Sequence, residues 1–279
     1  MRWIWTVDGD MDLLSAAPED DTIAWYENDG AAVPNFSRHL VTTIADGVRS
    51  VYAADVDGDG EMDVLSAETI GQTIAWYEND GAAVPHFSGH KVASIAEHAD
   101  VWSIHAADMD GDGDMDVLAV SLFGSTIDWY ENDGTDNPRF AKHILADATD
   151  GTSSIYAADM DGDGDKDVLS VSLYSGNIAW HPIEQRRYQI VAGSVTSFDE
   201  SATDLDGNTL SYSINDGISP TSDASYFSID SSTGLLTFGS APAVTSPGDS
   251  NGDNVYEIWI AVNDGYSTLY RKVAVQVTD

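Results

Sequence analysis

The chain contains no cysteine. That excludes a disulfide framework, a thiolate metal site and a cysteine nucleophile, so any bound ion must be held by oxygen or imidazole. Basic residues are scarce: 11 Lys and Arg stand against 48 Asp and Glu, a formal net charge of −37. So acidic a chain argues against nucleic acid or anionic lipid as a partner and for metal cations. No run of about 18 apolar residues occurs, and the start, MRWIWTVDGDMD, has no basic region followed by a long apolar one, so no export or membrane segment is visible. Recognisable catalytic signatures are missing too: there is no G-x-S-x-G elbow, no H-E-x-x-H and no phosphate-cradling Gly-Lys motif. The expectation is a protein that is not an enzyme.

What is present is repetition. With 279 residues and 42 % hydrophobic content, the chain can build real cores, as two ordinary domains or one large all-β domain. TIAWYENDGAAVPNFSRH at 22–39 returns as TIAWYENDGAAVPHFSGH at 73–90 and TIDWYENDGTDNPRFAKH at 126–143, with a shortened copy, NIAWHPIEQRRYQI, at 177–190. Trp25, Trp76, Trp129 and Trp180 thus mark four copies of one unit of about 50 residues. The second copy reads as four short strands, VRSVYAA, DVLSAE, TIAWYE and HFSGHKV, separated by the turn signals DGDG and NDG. Four strands per unit is the size of a propeller blade, and no blade buries both faces alone, so the copies must stack with their recurring aromatics as inter-blade core. The first copy is incomplete: Met1 aligns with Tyr52, and its loop keeps only Asp8, Asp10 and Asp12, with Ile4 and Thr6 where the others carry Asp. Either another segment closes the ring or the chain is one piece of a larger propeller. His39, His90 and His143 occupy one repeated strand position, which favours a structural role.

After about residue 192 the Trp repeat stops, and alternating strands such as YEIWIAV (256–262) and KVAVQVT (272–278) suggest a small antiparallel sandwich. The expected division is 1–191 for the repeats and 192–279 for the sandwich.

The chemistry lies in three loops, DVDGDGEMD (55–63), DMDGDGDMD (108–116) and DMDGDGDKD (159–167), which together hold fifteen acids. In D-x-D-G-D-G-x-x-D, the glycines allow the positive φ angles that turn the loop about a point, and the carboxylates then converge. Convergent carboxylates repel by several kcal/mol, roughly 4 per pair at 4 Å and an effective dielectric near 20, and so call for a cation. A flexible, all-oxygen, carboxylate-rich loop suits Ca2+ better than Mg2+. The predicted ligands are Asp55, Asp57, Asp59 and Asp63 with the carbonyl of Glu61; Asp108, Asp110, Asp112 and Asp116 with the carbonyl of Asp114; and Asp159, Asp161, Asp163 and Asp167 with the carbonyl of Asp165. Position 12 is Ser66, Ala119 or Ser170, not the Glu of an EF-hand, and the flanks are strands. ENDG at 27–30 and its copies read as ordinary turns.

These repeats resemble the FG-GAP/VCBS family, whose DxDGDGxxD loops and IAWYENDG-like strands occur in calcium-binding β-propellers of secreted and cell-surface proteins. The likeness covers residues 1 to about 191. Residues 193–279 resemble a bacterial cadherin-like domain through SATDLDGNTLSYSI, YFSIDSSTGLLTF and PGDSNGDNVYEIWIAVNDG. That second resemblance implies an immunoglobulin-like sandwich with calcium ligands at Asp204, Asp206 and Asp264, and weaker candidates at Asp230, Asp249 and Asp253. Together they imply an all-β, extracellular or cell-surface, calcium-binding protein of adhesion or surface assembly. Its partners would be calcium ions and another protein, a surface glycan or a second copy. The alternative is a carbohydrate-binding propeller, or an accessory module of a polysaccharide-degrading enzyme, using exposed Trp and Tyr as sugar platforms.

Overall fold

The computed structural model describes residues 10–278 apart from 83, 96–99, 125, 148–150, 163, 194, 203–206, 215–222, 240–243, 246–247, 250–251, 253 and 266–267. Among the described residues the chain is all-β, interrupted only by a single 3-10 turn at Ala224–Tyr226. Contacts group it into two compact units. The first runs through Ala141 and adds Ala148–Ala158 and Val168–Trp180; the second comprises Lys142–Asp147, Asp159–Asp167 and His181–Asp279.

The repeats form four small antiparallel sheets of propeller-blade type. The first holds β1 (Leu13–Ala17), β2 (Thr22–Asn28) and β3 (Phe36–Thr42). The second holds β4 (Val48–Ala54), β5 (Asp63–Glu68), β6 (Thr73–Asn79) and β7 (Phe87–Ser94), and the third β8 (Val101–Ala107), β9 (Asp116–Ser121), β10 (Thr126–Asn132) and β11 (Phe140–Asp147). The fourth has β12 (Thr152–Ala158), β13 (Asp167–Ser172) and β14 (Ile178–His181). Each sheet is a meander, because short turns and Asp- and Gly-bearing loops join successive strands between β-branched and aromatic runs.

Blades bury one another. Ile23 and Trp25 of the first share a core with Val64, Ala75 and Tyr77 of the second. Leu65, Ile74 and Trp76 of the second share another with Val117, Ala119 and Tyr130 of the third. The recurring tryptophans at 25, 76 and 129 are core, whereas Trp180 is half exposed. His39 and His90 stack on Trp25 and Trp76 at 4.3 and 4.5 Å and meet Glu27 and Glu78 at 2.9 and 2.8 Å, a structural use of the repeated histidine.

The C-terminal region is a two-sheet sandwich. One sheet has the order β15 (Glu184–Val191), β21 (Thr268–Thr278), β20 (Val255–Asn263), β17 (Ser211–Ile214); the other is β16 (Thr196–Asp199), β19 (Leu235–Phe238), β18 (Phe227–Ile229). Alternate residues Tyr256, Ile258, Ile260 and Val262 of β20 and Val273, Val275 and Val277 of β21 face Phe198, Leu236 and Phe238 across one core. A buried ion pair, Arg271 Nη1 to Glu200 at 3.0 Å, lies in the same unit, and Tyr188 Oη donates to that Glu200 at 2.6 Å.

Two features differ from the sequence reading. The sandwich is not purely antiparallel, since β15 runs parallel to β21 from Glu184↔Arg271 to Val191↔Thr278. The segment EQRRYQIV, expected to belong to the fourth repeat, is this strand, so the fourth blade has three strands and its chain continues into the second sheet system.

Candidate metal centre

Each acidic loop joins the first two strands of a blade. In the second and third blades its second residue is an apolar anchor, Val56 or Met109, buried so that it fixes the loop to the core, whereas Met160 of the fourth blade is half exposed. Gly58 and Gly60 have φ of 75° and 94°, and Gly111 and Gly113 have 76° and 105°. No atom lies within 4 Å of where a Cβ would stand at Gly58, Gly60 or Gly113, so what those positions require is the left-handed backbone.

The turn brings carboxylates together. Asp55, Asp57 and Asp63 each place an oxygen within 4.8 Å of the others, and Asp108, Asp110 and Asp116 do the same. At that separation two full charges repel by about 3–4 kcal/mol at an effective dielectric near 20. Three of these carboxyl groups, Asp57, Asp63 and Asp116, resist ionisation, through burial first and neighbouring acids second. Burial lifts Asp63 to about 7 despite the amides it accepts from, and pushes Asp116 well above the usual range with Asp110 adding repulsion. Asp57 and Asp114 are raised by the same burial and by neighbouring acids.

The ninth residue of the loop has a second task. Asp63 accepts the Val56 amide at 3.0 Å on Oδ2 and the Asn79 amide at 2.8 Å on Oδ1. Asp116 treats Met109 and Asn132 likewise at 2.9 and 2.8 Å, and Asp167 treats Met160 and Ile183, both at 3.0 Å. These carboxylates clamp the loop to the third strand of the blade, or to the segment that follows β14 in the fourth, while each oxygen keeps a further lone pair. Asp12 of the degenerate first loop retains the clamp, accepting the Asn28 amide at 2.8 Å; Asp8 lies outside the described residues.

The other expected ligands divide. Asp59 and Asp112, at the fifth position, accept the amides of Glu61 and Asp114 at 2.8 and 2.9 Å and lie outside the convergent groups; burial raises Asp112 to about 7. In the fourth loop Asp159 accepts Gly162 and Gly164 amides at 2.7 and 3.1 Å; Asp161 and Asp165 are present, Asp163 lies outside the described residues, and no convergent group of three occurs among those described. Asp204 and Asp206 also lie outside the described residues, and Asp264 is a half-buried turn residue that enters no such group. Asp230 caps a turn through Ser232 and Thr233, and the Ser232 hydroxyl with those amides lowers it to about 2.

The ENDG segments are turns, as expected: Asp80 Oδ1 accepts the amides of Ala82 and His86 at 3.1 and 3.0 Å. Their asparagine is more than that. Asn79 and Asn132 each donate to the carbonyl of the loop's eighth residue at 3.1 Å, and Asn132 also donates to the Val56 carbonyl at 2.8 Å, tying the third blade to the second blade's loop. The interval from the clamping Asp to this position is 16 residues in all four copies, with Ile183 in place of asparagine in the fourth.

A hard divalent cation fits this donor set. All the side-chain donors are carboxylate oxygens, and Asp55 Oδ1 is buried with no hydrogen-bond partner, an atom left with a lone pair to give. The two groups of three aspartates could hold a metal ion.

Fold and site together define a repeat protein built on acidic hairpin loops. The FG-GAP-like repeat model matches residues 5–66, 55–119 and 119–170, more than half the chain, and the protein belongs to that family. No curated protein matches the sequence. Among solved structures it is similar to PcdhgB3 EC1-4, at 11 % identity over 97 % of this chain and 58 % of that one, with a TM-score of 0.27. It is similar also to the extracellular cadherin domains 1-4 of protocadherin gamma B7, at 12 % identity, 92 % and 57 % coverage and a TM-score of 0.25. An endo-fucoidan hydrolase of glycoside hydrolase family 107 gives 8 % identity, 96 % and 38 % coverage and 0.25. The chain spans less than two thirds of each of these structures, and TM-scores this low do not establish a shared fold.

Proposed function

We propose that the protein is a non-enzymatic, extracellular calcium-binding module of adhesion or surface assembly, in which Ca2+ held by the acidic loops stiffens the blades. The observation that carries this is the duplicated group of half-buried to buried, mutually repelling aspartates at positions 1, 3 and 9 of two loops, with Asp55 Oδ1 unpartnered. Asp59, Asp112 and the carbonyls of Glu61 and Asp114 would complete the shell. The third loop would be formed by Asp159, Asp161, Asp163, Asp165 and Asp167, and a cadherin-like site in the sandwich would use Asp204, Asp206 and Asp264. Bound calcium would neutralise the repulsion and cross-link each loop to the strand its ninth residue clamps.

An ion that binds only the folded state contributes about 2.7 kcal/mol per site at a hundredfold excess over Kd. Millimolar extracellular calcium suffices for weak sites of this kind, which supports an outside location. The glycan-binding alternative has less support, because three of the four repeated tryptophans are buried; among the described residues Trp180, Tyr156 and Tyr174 are exposed aromatics. Thermal melting tests the proposal: EDTA should lower the Tm by many degrees and Ca2+ should restore it, whereas an unchanged melt would end the calcium reading.

A further inference from the structure

The blades of the first unit join by one repeated contact. On each blade an Ile and a Trp of the Trp-bearing strand form a front face, and that face shares a core with the back face of the next blade. Ile23 and Trp25 meet Met62, Val64 and Phe87 in this way, and Ile74 and Trp76 meet Met115, Val117 and Phe140. Ile127 and Trp129 of the third blade are buried as well.

The fourth copy breaks the series. Ile178 is 77 % and Trp180 49 % exposed, and Val171 is exposed where Ala67 and Val120 are buried. At the other end, the back-face positions of the first blade are Met11, Leu13 and Phe36, all exposed; Leu13 is at 51 % where Val64 and Val117 are at 0 %. Among the described residues, then, the stack ends in one uncovered front face and one uncovered back face. These are the two halves of a contact the chain already makes between its own blades, with the same residue types at the same repeat positions.

We propose that a second copy of the chain supplies the missing neighbour, with the Val171, Ile178 and Trp180 face of one chain seated on the Met11, Leu13 and Phe36 face of the other. The contact is front to back, and a pair that makes it twice leaves neither face uncovered; making it once per chain would instead propagate a fibre. The interface is apolar while each chain carries −37. Added salt therefore tightens the association, by screening repulsion between the chains beyond a Debye length of about 8 Å at physiological strength. The inference stands on packing and does not depend on which ion, if any, fills the loops.

Sedimentation velocity of the full chain in calcium-containing buffer, from low to high micromolar concentration, tests it. The expected result is a reversible species of twice the 29.9 kDa chain mass, favoured by salt. Ile178→Asp and Leu13→Asp should each weaken it by about tenfold or more. A mixture of the two variants should pair more tightly than either variant alone, through one intact contact, because each retains the face that the other has lost. Val33→Asp, at a turn position in neither face and 80 % exposed, should change nothing. Circular dichroism and the Tm of each variant check folding. A wild-type chain that stays monomeric throughout, or a pair that survives both face substitutions, would overturn the proposal; so would two variants that fail to pair with each other.

Discussion

Replacing Asp63 by alanine and Asp57 by asparagine separates two tasks that the loop carboxylates combine. Asp63 is fully buried and holds the Val56 and Asn79 amides at 3.0 and 2.8 Å. Alanine leaves both donors unsatisfied, at about 1–3 kcal/mol each, so the variant should lose about 2–6 kcal/mol with or without calcium. For a unit of this size that is roughly 5–20 °C in Tm. Asp57 accepts the Asp59 amide at 3.2 Å on Oδ1, and asparagine keeps that acceptor while removing one of three mutually repelling charges. Asp57→Asn should therefore match the wild type within about 0.5 kcal/mol in EDTA. In excess calcium it should fall behind by one site's contribution, about 2.7 kcal/mol at a hundredfold excess. Urea unfolding of both variants, each in EDTA and in calcium, gives the four free energies. The reasoning is refuted if Asp57→Asn is equally destabilised in both buffers, or if Asp63→Ala is harmless in EDTA.

Three further outcomes follow from the same geometry. Asp12→Ala removes the clamp on Asn28 in a loop with no convergent acids among the described residues, so its cost should be independent of calcium in the same urea series. Because burial raises Asp63 to about 7, the calcium-free fold binds more protons than the unfolded chain between about pH 4 and 7. Its stability should fall as pH rises through that window, and calcium added near pH 6.5 should release protons, as a pH electrode in weak buffer would record. Trp76→Ala should cost about 3–5 kcal/mol in equilibrium unfolding, against under about 1 for Trp180→Ala in the isolated chain, since only the first is packed between blades.

The strands of the repeats were readable because their signals are local. VRSVYAA and DVLSAE coincide with β4 and β5, and turn residues mark their ends. Burial of Trp25, Trp76 and Trp129 followed from the rule that no blade can cover itself. Parallel pairing of β15 with β21 was not readable, because it joins segments about 87 residues apart and depends on which sheet edge is open. Nor does an Asp-rich loop announce which carboxylates face an ion and which hold amides. The clamp at Asp63, Asp116 and Asp167 depends on a partner 16 residues away in the fold's own register. The same holds for Glu61, whose side chain lies against Gly81, a turn residue at φ 64° where a Cβ would meet it at 3.2 Å. Sequence shows the acid and the glycine; only the fold shows them touching.

Calorimetric titration of the calcium-free chain with Ca2+ tests the central claim most directly. The account predicts one site for each of the three complete loops of the repeats, besides the site proposed in the sandwich, and one site fewer for Asp57→Asn. No uptake at millimolar calcium, or an undiminished stoichiometry in the variant, would contradict it.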